Sequence, residues 1–383
     1  MFSRLLKIQK GKSLFLFGPR GTGKSTWVKV NMPDAVYVDL LESDTYTGLL
    51  AHPEDIESYI PPKFSEYIVI DEVQRVPELL NEVHRLIETK KYKFILLGSS
   101  ARKLRKKGVN LLAGRALNYF MHPLTVKELG KDFELAHSLK FGHLPMVYTD
   151  PDPEKYLNSY IKTYLREEVM QEGLTRNLGA FSRFLEAASF SQGSVLNITE
   201  VARESGVHRK VAGNYFSILQ DLLIAELIPA FHKKAKRRMT AHPKFYFFDT
   251  GVYRTIRPAG PLDMPEEIEG ISLETLFLGE LRAVNEYYNM QYNIYYWRTS
   301  NNIEVDFVVY GKKGLKAFEI KRSRKFNRKD LNGLKLLLKD YPIAKTFFVY
   351  GGNKTLYIDD ICVIPYEDCL TNLNNILNEK RVL

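Results

Sequence analysis

The sequence contains little cysteine and no long hydrophobic run. Of its 383 residues two are cysteines, Cys362 and Cys369. Their spacing matches no metal-binding or redox motif, so we expect two free structural thiols. No apolar stretch is long enough to cross a membrane, and the run Ser13–Phe17 is too short for the core of a signal peptide. The sequence therefore predicts an intracellular, cytoplasmic protein without a membrane partner.

Acidic residues are outnumbered by basic ones. The chain has 45 Asp and Glu against 55 Lys and Arg, which gives a net charge of +10. This excess favours a polyanionic partner, nucleic acid before a membrane surface. Hydrophobic residues make up 45% and charged residues 26%, proportions typical of a chain with a packed core. Internal repeats are not evident either, and the length indicates two to four domains.

The most informative feature that is present is the segment Gly18–Ser25, which fits the phosphate-binding pattern G-x-x-x-x-G-K-[ST]. It lies between an apolar run typical of a buried strand and a segment that can form a helix, as such a loop requires. Its glycines let backbone N–H groups surround a phosphate. We expect Lys24 to reach the β- and γ-phosphates of ATP and Ser25 to hold Mg²⁺. The alternative is a glycine-rich turn with a coincidental Lys-Ser pair.

A second motif is a strand that ends in two acids, Asp71 and Glu72. Asp71 is placed to hold Mg²⁺ through its water shell, and Glu72 to polarise a water for attack on the γ-phosphate. The alternative is a strand that ends in two solvated carboxylates.

Further candidates for this site follow in the chain. Ser99 or Ser100, at the end of a third strand, can sense the γ-phosphate or simply form a turn. Arg115 is a candidate arginine finger, although it can instead form a structural ion pair. The predicted nucleotide-binding residues are Gly18, Pro19, Arg20, Gly21, Thr22, Gly23, Lys24, Ser25, Thr26 and Ser99.

Apolar strands alternate with helical segments over residues 1–123, which predicts an α/β domain with a mainly parallel sheet. The ligand of such a sheet lies at the carboxyl ends of its strands. Residues 124–190 turn helical and are expected to form a lid or connector. Residues 249–269, with three prolines, are expected to form a linker.

Residues 191–250 predict a winged helix-turn-helix. The second helix opens at His208, Arg209 and Lys210, which would face a DNA major groove. The wing carries a basic tip that can neutralise phosphates. Its residues are Lys233, Lys234, Lys236, Arg237 and Arg238. The alternative is an element that docks proteins or assembles a homo-oligomer.

Residues 265–383 predict a second α/β domain with acids on neighbouring strands. Asp306 and Glu319 can converge and hold Mg²⁺, and Lys321 points the same way as Glu319 because side chains alternate along a strand. Glu274 or Glu280 on the preceding helix can complete this metal site. This is the arrangement of the PD-(D/E)xK nuclease fold, in which Lys321 would orient a water. The alternative is a catalytically idle copy.

The whole chain resembles the AAA-type ATP-binding proteins of bacteria and archaea that carry a C-terminal domain of unknown function with a PD-(D/E)xK-like core. The resemblance rests on motifs at residues 18–25, 70–74, 97–100, 112–115, 247–251, 273–281, 304–306 and 319–321. It implies ATP binding and hydrolysis by Lys24, Ser25, Asp71 and Glu72. It also implies that Glu274, Asp306, Glu319 and Lys321 are the nuclease-like positions. The chain departs from the family at residues 165–169, where an Arg-Asp pair is usual.

The sequence therefore predicts a Mg²⁺-dependent ATPase that acts on DNA and carries a nuclease-like domain. The alternative is a nucleotide-switched binding or regulatory protein in which that last domain is an inert scaffold.

Overall fold

The computed structural model describes residues 2–100, 112, 114–165, 177–232, 242–261 and 263–379. The chain divides into two compact units. The first comprises Ser3–His122 and Asp221–Ile224, and the second comprises Pro123–Gln220 and Ala225–Leu383. Among the described residues, none of the helices combines the length and the apolar character needed to span a bilayer.

The first unit is built on a parallel sheet, as predicted. Its strands are β1 (Ser13–Phe17), β2 (Val36–Asp39), β3 (Tyr67–Asp71), β4 (Lys93–Gly98) and β5 (Ala116–Phe120). They lie in the order β2-β3-β4-β1-β5, and every neighbouring pair is parallel. The residues of β1 and β3 are buried throughout, because both faces of a parallel sheet are covered. The helices are α1 (Lys24–Asn31), α2 (Ser43–Ala51) and α3 (Leu79–Lys90).

The second unit begins with helices and a hairpin. The helices are α4 (Val126–Leu129), α5 (Leu135–Phe141), α6 (Pro153–Ser159), α7 (Leu178–Ser189), α8 (Ile198–Ser205) and α9 (Arg209–Asp221), with a π-helical turn at Tyr160–Leu165. Strands β6 (Ala225–Ile228) and β7 (Lys244–Phe247) pair antiparallel. The turn between α8 and α9 contains Gly206 at φ 68°, a left-handed conformation that favours glycine. These helices and this hairpin were predicted, whereas the predicted wing tip and residues 166–169 lie outside the described residues.

The predicted linker is wrong at both of its ends, which are helical, whereas residues 257–261 lie outside helices and strands. Residues Thr250–Ile256 form helix α10, which buries Val252 and Tyr253. Its N-terminus is capped by Asp249, whose carboxylate accepts hydrogen bonds from Val252 N at 3.1 Å and His143 N at 2.7 Å. The long helix α11 (Pro265–Tyr287) then starts with Pro265 in its first turn, where proline costs no hydrogen bond. One of the prolines that suggested a linker therefore marks a helix start.

A six-stranded mixed sheet completes the second unit. Its strands are β8 (Asn293–Arg298), β9 (Glu304–Gly311), β10 (Gly314–Lys321), β11 (Lys345–Tyr350), β12 (Leu356–Ile358) and β13 (Ile361–Pro365), in the order β12-β13-β11-β10-β9-β8. Apolar side chains of α11 and of α13 (Tyr366–Leu377) share one core with the sheet. Those of α12 (Asn332–Asp340) share a second core with it. This packing places the start of β9 and the end of β10 beside α11.

Candidate functional site

The glycine-rich loop at the end of β1 has a backbone that only glycine readily adopts. Gly21 and Gly23 have φ angles of 80° and 90°. Gly18 lies close to Met121, the residue that follows β5. A Cβ at Gly18 would come within 2.3 Å of Met121 O. Gly23 is also the N-cap of α1, so the free N–H groups of the first helical turn adjoin the loop. The loop therefore has the tight curvature and the donors that a phosphate site requires.

Lys24 and Arg4 hold this loop from two sides. The ammonium of Lys24 donates to Gly18 O at 2.7 Å and Pro19 O at 3.1 Å, and the side chain is largely buried. Arg4 donates to Thr22 O at 2.7 Å and to His122 O at 2.5 Å. The motif predicted the position of Lys24 but gave no signal for Arg4. Lys24 therefore contacts the backbone of the same loop with which it is predicted to bind phosphate.

Ser25 and Asp71 meet at the carboxyl ends of β1 and β3. The Ser25 hydroxyl donates to Asp71 Oδ2 at 2.7 Å, and Glu72 N donates to Asp71 Oδ1 at 3.0 Å. The Tyr37 hydroxyl, from β2, also donates to Asp71 Oδ2. Burial and this carboxylate raise the pKa of Tyr37, so the phenol stays protonated and remains a donor. Sequence reasoning missed Tyr37 because no motif points to a tyrosine on β2.

Glu72 and Ser99 are linked by a third residue. The Gln74 amide donates to Glu72 Oε2 and, at 3.1 Å, to Ser99 Oγ. The carboxylate and the hydroxyl come from the ends of β3 and β4, which the parallel sheet places side by side. The neighbouring Ser100 is fully buried. The two residues predicted to activate water and to sense phosphate are therefore adjacent.

The two predicted arginines have different surroundings. Arg20 is an exposed residue of the loop itself, and Thr26 is an exposed residue of α1. Arg115 directly precedes β5 and so lies where the parallel strands begin, whereas the loop lies where they end. Its side chain forms an ion pair with Glu88. The structure therefore does not bring Arg115 to the site of its own chain. The ion pair with Glu88 agrees with the structural alternative, and a role for Arg115 as an arginine finger stays a prediction.

The predicted acidic cluster assembles in the second unit, around the start of β9 and the end of β10. Lys321 Nζ lies 2.9 Å from Glu319 Oε1, and Asp306 Oδ2 accepts from Ile320 N at 2.8 Å. Glu274 on α11 accepts from the Tyr246 hydroxyl at 2.8 Å. Glu280, the other candidate, lies elsewhere and accepts from Val126 N at the start of α4 at 3.0 Å.

A buried lysine that sequence reasoning missed completes this cluster. Lys244 on β7 lies 2.8 Å from Glu304 Oε1 and 3.7 Å from Asp306 Oδ1. Burial by itself lowers the pKa of Lys244, but the attraction of Asp306, Glu274 and Glu304 outweighs it and raises the pKa. The hairpin therefore supplies a permanent positive charge to the acids of the sheet.

The buried glutamates of this cluster are harder to ionise than free carboxyl groups. Burial and the charge of Asp306 raise the pKa of both Glu274 and Glu319 well above the ordinary value for a carboxyl. Glu319 Oε2 is buried and has no hydrogen-bond partner among the residues that the structure describes. Among the described residues, no group of three or more His, Cys, Asp or Glu side chains is arranged to hold a metal ion. The cluster is thus a charge network, and metal binding there stays a prediction.

The predicted DNA-contacting residues are only partly described. His208 Nδ1 accepts from Lys210 N at 3.2 Å, and both Arg209 and Lys210 are exposed at the start of α9. The basic wing residues lie outside the described residues. They are Lys233, Lys234, Lys236, Arg237 and Arg238.

Comparisons with known proteins divide the chain into three segments. The description "AAA domain" matches residues 10–130, and two domains of unknown function, DUF8612 and DUF4143, match residues 132–263 and 269–369. Uncharacterised proteins of Mycobacterium bovis and Mycobacterium tuberculosis are each 26% identical over 376 residues, which is 95% of this chain and 82% of theirs.

Two solved structures align with the chain at low similarity. The Orc1 protein of Aeropyrum pernix in complex with DNA aligns at 13% identity, over 65% of this chain and 87% of that one, with a TM-score of 0.28. Protein VC1899 from Vibrio cholerae aligns at 13% identity, over 96% and 97% of the two chains, with a TM-score of 0.24. The family match, together with the loop, supports an AAA-type ATPase domain in the N-terminal part of the chain, followed by segments similar to domains of unknown function.

Proposed function

We propose that this protein is a Mg²⁺-dependent ATPase whose first unit binds and hydrolyses ATP. The observation that carries the proposal is the 2.7 Å hydrogen bond between Ser25 Oγ and Asp71 Oδ2, directly beside the glycine-rich loop. Two hard oxygen atoms at the end of a phosphate-binding loop form the ligand set that Mg²⁺ prefers. The match of residues 10–130 to the AAA domain supports the same conclusion.

The residues present fit ATP and Mg²⁺. Gly18 leaves room that a Cβ would fill, and the start of α1 offers free N–H groups to an anion. Lys24 contributes a positive charge at the loop, and Asp71 is held in place by three donors. When bound, Mg²⁺ would supply positive charge against the phosphates. Glu72, at the next position, accepts a proton from water at its carboxylate.

The loop assignment is tested by ATP binding to the Lys24→Ala protein. Loss of this cation should weaken ATP binding by at least tenfold, equivalent to about 1.4 kcal/mol. The control is Lys12→Ala, which removes an exposed lysine just before β1 and should leave the affinity unchanged. Equal affinity for ATP in both variants would refute the assignment.

We also propose that DNA is the partner of the second unit. The support is the helix-turn-helix of α8 and α9, the hairpin that follows it, and the excess of basic residues. In this winged-helix interpretation Arg209 and Lys210 approach the bases and the wing binds phosphates. An element that docks proteins or a second copy of the chain remains the alternative.

Salt dependence distinguishes DNA binding from docking. Neutralising the five basic wing residues should weaken binding to all duplex sequences. It should also reduce the slope of log affinity against log salt by about 0.9 for each phosphate that the variant no longer neutralises. A control removes five exposed lysines of the first unit: Lys7, Lys10, Lys12, Lys63 and Lys91. If both variants bind DNA with equally reduced affinity, the wing has no specific role.

Metal-dependent cleavage of DNA is a second candidate function. The gathering of Glu274, Asp306, Glu319 and Lys321 favours it, since these are the nuclease-like positions. The ammonium of Lys244 against Asp306 favours the inert alternative instead, because it already balances carboxylate charge.

Calorimetry with Mn²⁺ and cleavage assays separate these two possibilities. A nuclease must bind Mn²⁺ and cut DNA, and Asp306→Ala must abolish the cleavage. Absence of both binding and cleavage in the wild type would assign the regulatory alternative, in which the last domain is a scaffold.

A further inference from the structure

The amide of Gln74 occupies a buried position between Glu72 and Ser99. Its side chain is 5% exposed. Its nitrogen donates to Glu72 Oε2 and to Ser99 Oγ, the latter at 3.1 Å. An amide nitrogen has two hydrogens, so these two bonds use its whole donor capacity. Gln74 thus connects the end of β3 to the end of β4.

The local backbone is shaped to place this amide. Glu72 has a φ of 57°, an uncommon conformation for a residue with a side chain, and the chain then enters a 3₁₀ turn at Val73–Arg75. Gly98 faces the amide, and a Cβ at Gly98 would come within 2.8 Å of Gln74 Oε1. The absence of a side chain at the end of β4 therefore makes room for Gln74.

The amide oxygen has a less favourable environment. Gln74 Oε1 is buried and has no hydrogen-bond partner in the part of the chain that the structure describes. An unsatisfied buried acceptor destabilises a fold. An unsatisfied group of this kind in a native fold calls for an explanation, and a role in function is one.

We propose that Gln74 is a positioning residue for ATP hydrolysis that couples the Glu72 carboxylate to the Ser99 hydroxyl. The inference rests on the proposed function, because it assigns a role within the same site. Ser99 is placed to sense the γ-phosphate, and Glu72 accepts a proton from water. Because one amide binds both side chains, the orientation of Glu72 depends on the position of Ser99. In this role Gln74 acts through its hydrogen bonds to Glu72 and Ser99.

Two substitutions separate this coupling from simple packing. Gln74→Met keeps the length of the side chain and removes both hydrogen bonds. Gln74→Glu keeps the shape and brings a second carboxylate to Glu72. Both variants should reduce kcat by at least tenfold, whereas the dissociation constant for ATP should change less than twofold. The melting temperature of Gln74→Met should not fall, because the change also removes an unsatisfied acceptor.

A double-mutant cycle with Ser99→Ala is the decisive measurement. If Gln74 acts through Ser99, the Gln74→Met and Ser99→Ala double variant should lose no more activity than the more impaired single variant. Gln9→Met, an exposed position in the same unit, is the control for introducing a thioether.

The outcomes are distinct. Unchanged kcat in Gln74→Met, or losses that multiply in the double variant, would overturn the coupling. A parallel loss of ATP affinity and melting temperature in both Gln74 variants would also overturn it, since that pattern indicates a structural role. Failure of the wild type to bind ATP would instead overturn the proposed function.

Discussion

Asp71 shows how much of this site depends on single hydrogen bonds. Its two carboxylate oxygens accept from the Ser25 hydroxyl, the Tyr37 hydroxyl and the backbone of Glu72. A carboxylate held by three donors keeps one orientation, which is the preorganisation that metal-assisted chemistry needs. Glu72 itself is held by Gln74, so the two neighbouring acids have separate supports.

At the residue scale, Glu72→Gln should separate ATP binding from hydrolysis. The amide keeps the size of the side chain and loses its ability to accept a proton, so turnover should fall roughly a hundredfold or more. Binding of ATP should be retained, because Lys24 and the loop are unchanged. Steady-state hydrolysis and equilibrium binding, measured on the same preparation, test both parts.

A normal rate of hydrolysis in Glu72→Gln would show that another group activates the water. The matched control is Glu66→Gln, an exposed glutamate just before β3, for which both measurements should equal the wild type.

At the scale of secondary structure, the site is a product of parallel strand pairing. The loop after β1, the acids at the end of β3 and the serine after β4 share one edge because these three strands run in the same direction. The same geometry explains why Arg115, which precedes β5, lies at the opposite edge. Direction of the strand, rather than distance along the chain, decides which motifs meet.

Gly18→Ala and Gly48→Ala should have opposite effects. At Gly18 the new Cβ would meet Met121 O at 2.3 Å, so the loop must shift and both stability and ATP affinity should fall. At Gly48, inside α2, nothing lies within 4 Å of the added Cβ. That change should stabilise the protein by about 0.5–1 kcal/mol, since alanine favours a helix over glycine.

Chemical denaturation and ATP binding of the two variants check this prediction. Full ATP affinity in Gly18→Ala would mean that the close approach to Met121 is not needed for the site.

At the scale of the molecule, the second unit buries several ionisable groups. Burial raises the pKa of Glu280 to about 8 and that of Asp249 to about 6. Burial lowers the pKa of His143 to about 4. An acid with a raised pKa stabilises the folded state most below its unfolded pKa and loses this contribution as the pH rises through the folded pKa. Glu280 and Asp249 therefore lower the free energy of unfolding of this unit as the pH rises to mildly alkaline values.

The Glu280→Gln variant should be less sensitive to alkaline pH than the wild type. In the wild type, Glu280 makes the free energy of unfolding fall by about 1.4 kcal/mol per pH unit between its unfolded pKa and about 8. Glutamine carries no charge and still offers an oxygen to Val126 N, so this contribution disappears. Denaturation from about pH 7 to about pH 8 measures the difference, in a range above the ordinary pKa of histidine.

Glu267→Gln, an exposed change on the same helix, is the control and should keep the slope of the wild type. If Glu280→Gln and the wild type had the same pH dependence, burial would not raise the pKa of Glu280 in the folded protein.

Local sequence patterns were enough to predict the strands of the first unit, the glycine-rich loop and the convergence of Glu319 with Lys321. These features depend on residues close together in the chain, whose spacing follows from backbone geometry. The linker interpretation of residues 249–269 was wrong at both ends, because a proline that begins a helix looks the same in sequence as a proline of a loop. The contacts of Tyr37, Gln74 and Lys244 became evident only in the folded chain. Each of these side chains acts through a partner on another strand, and strand order and register, which set such distances, are not encoded in any local motif.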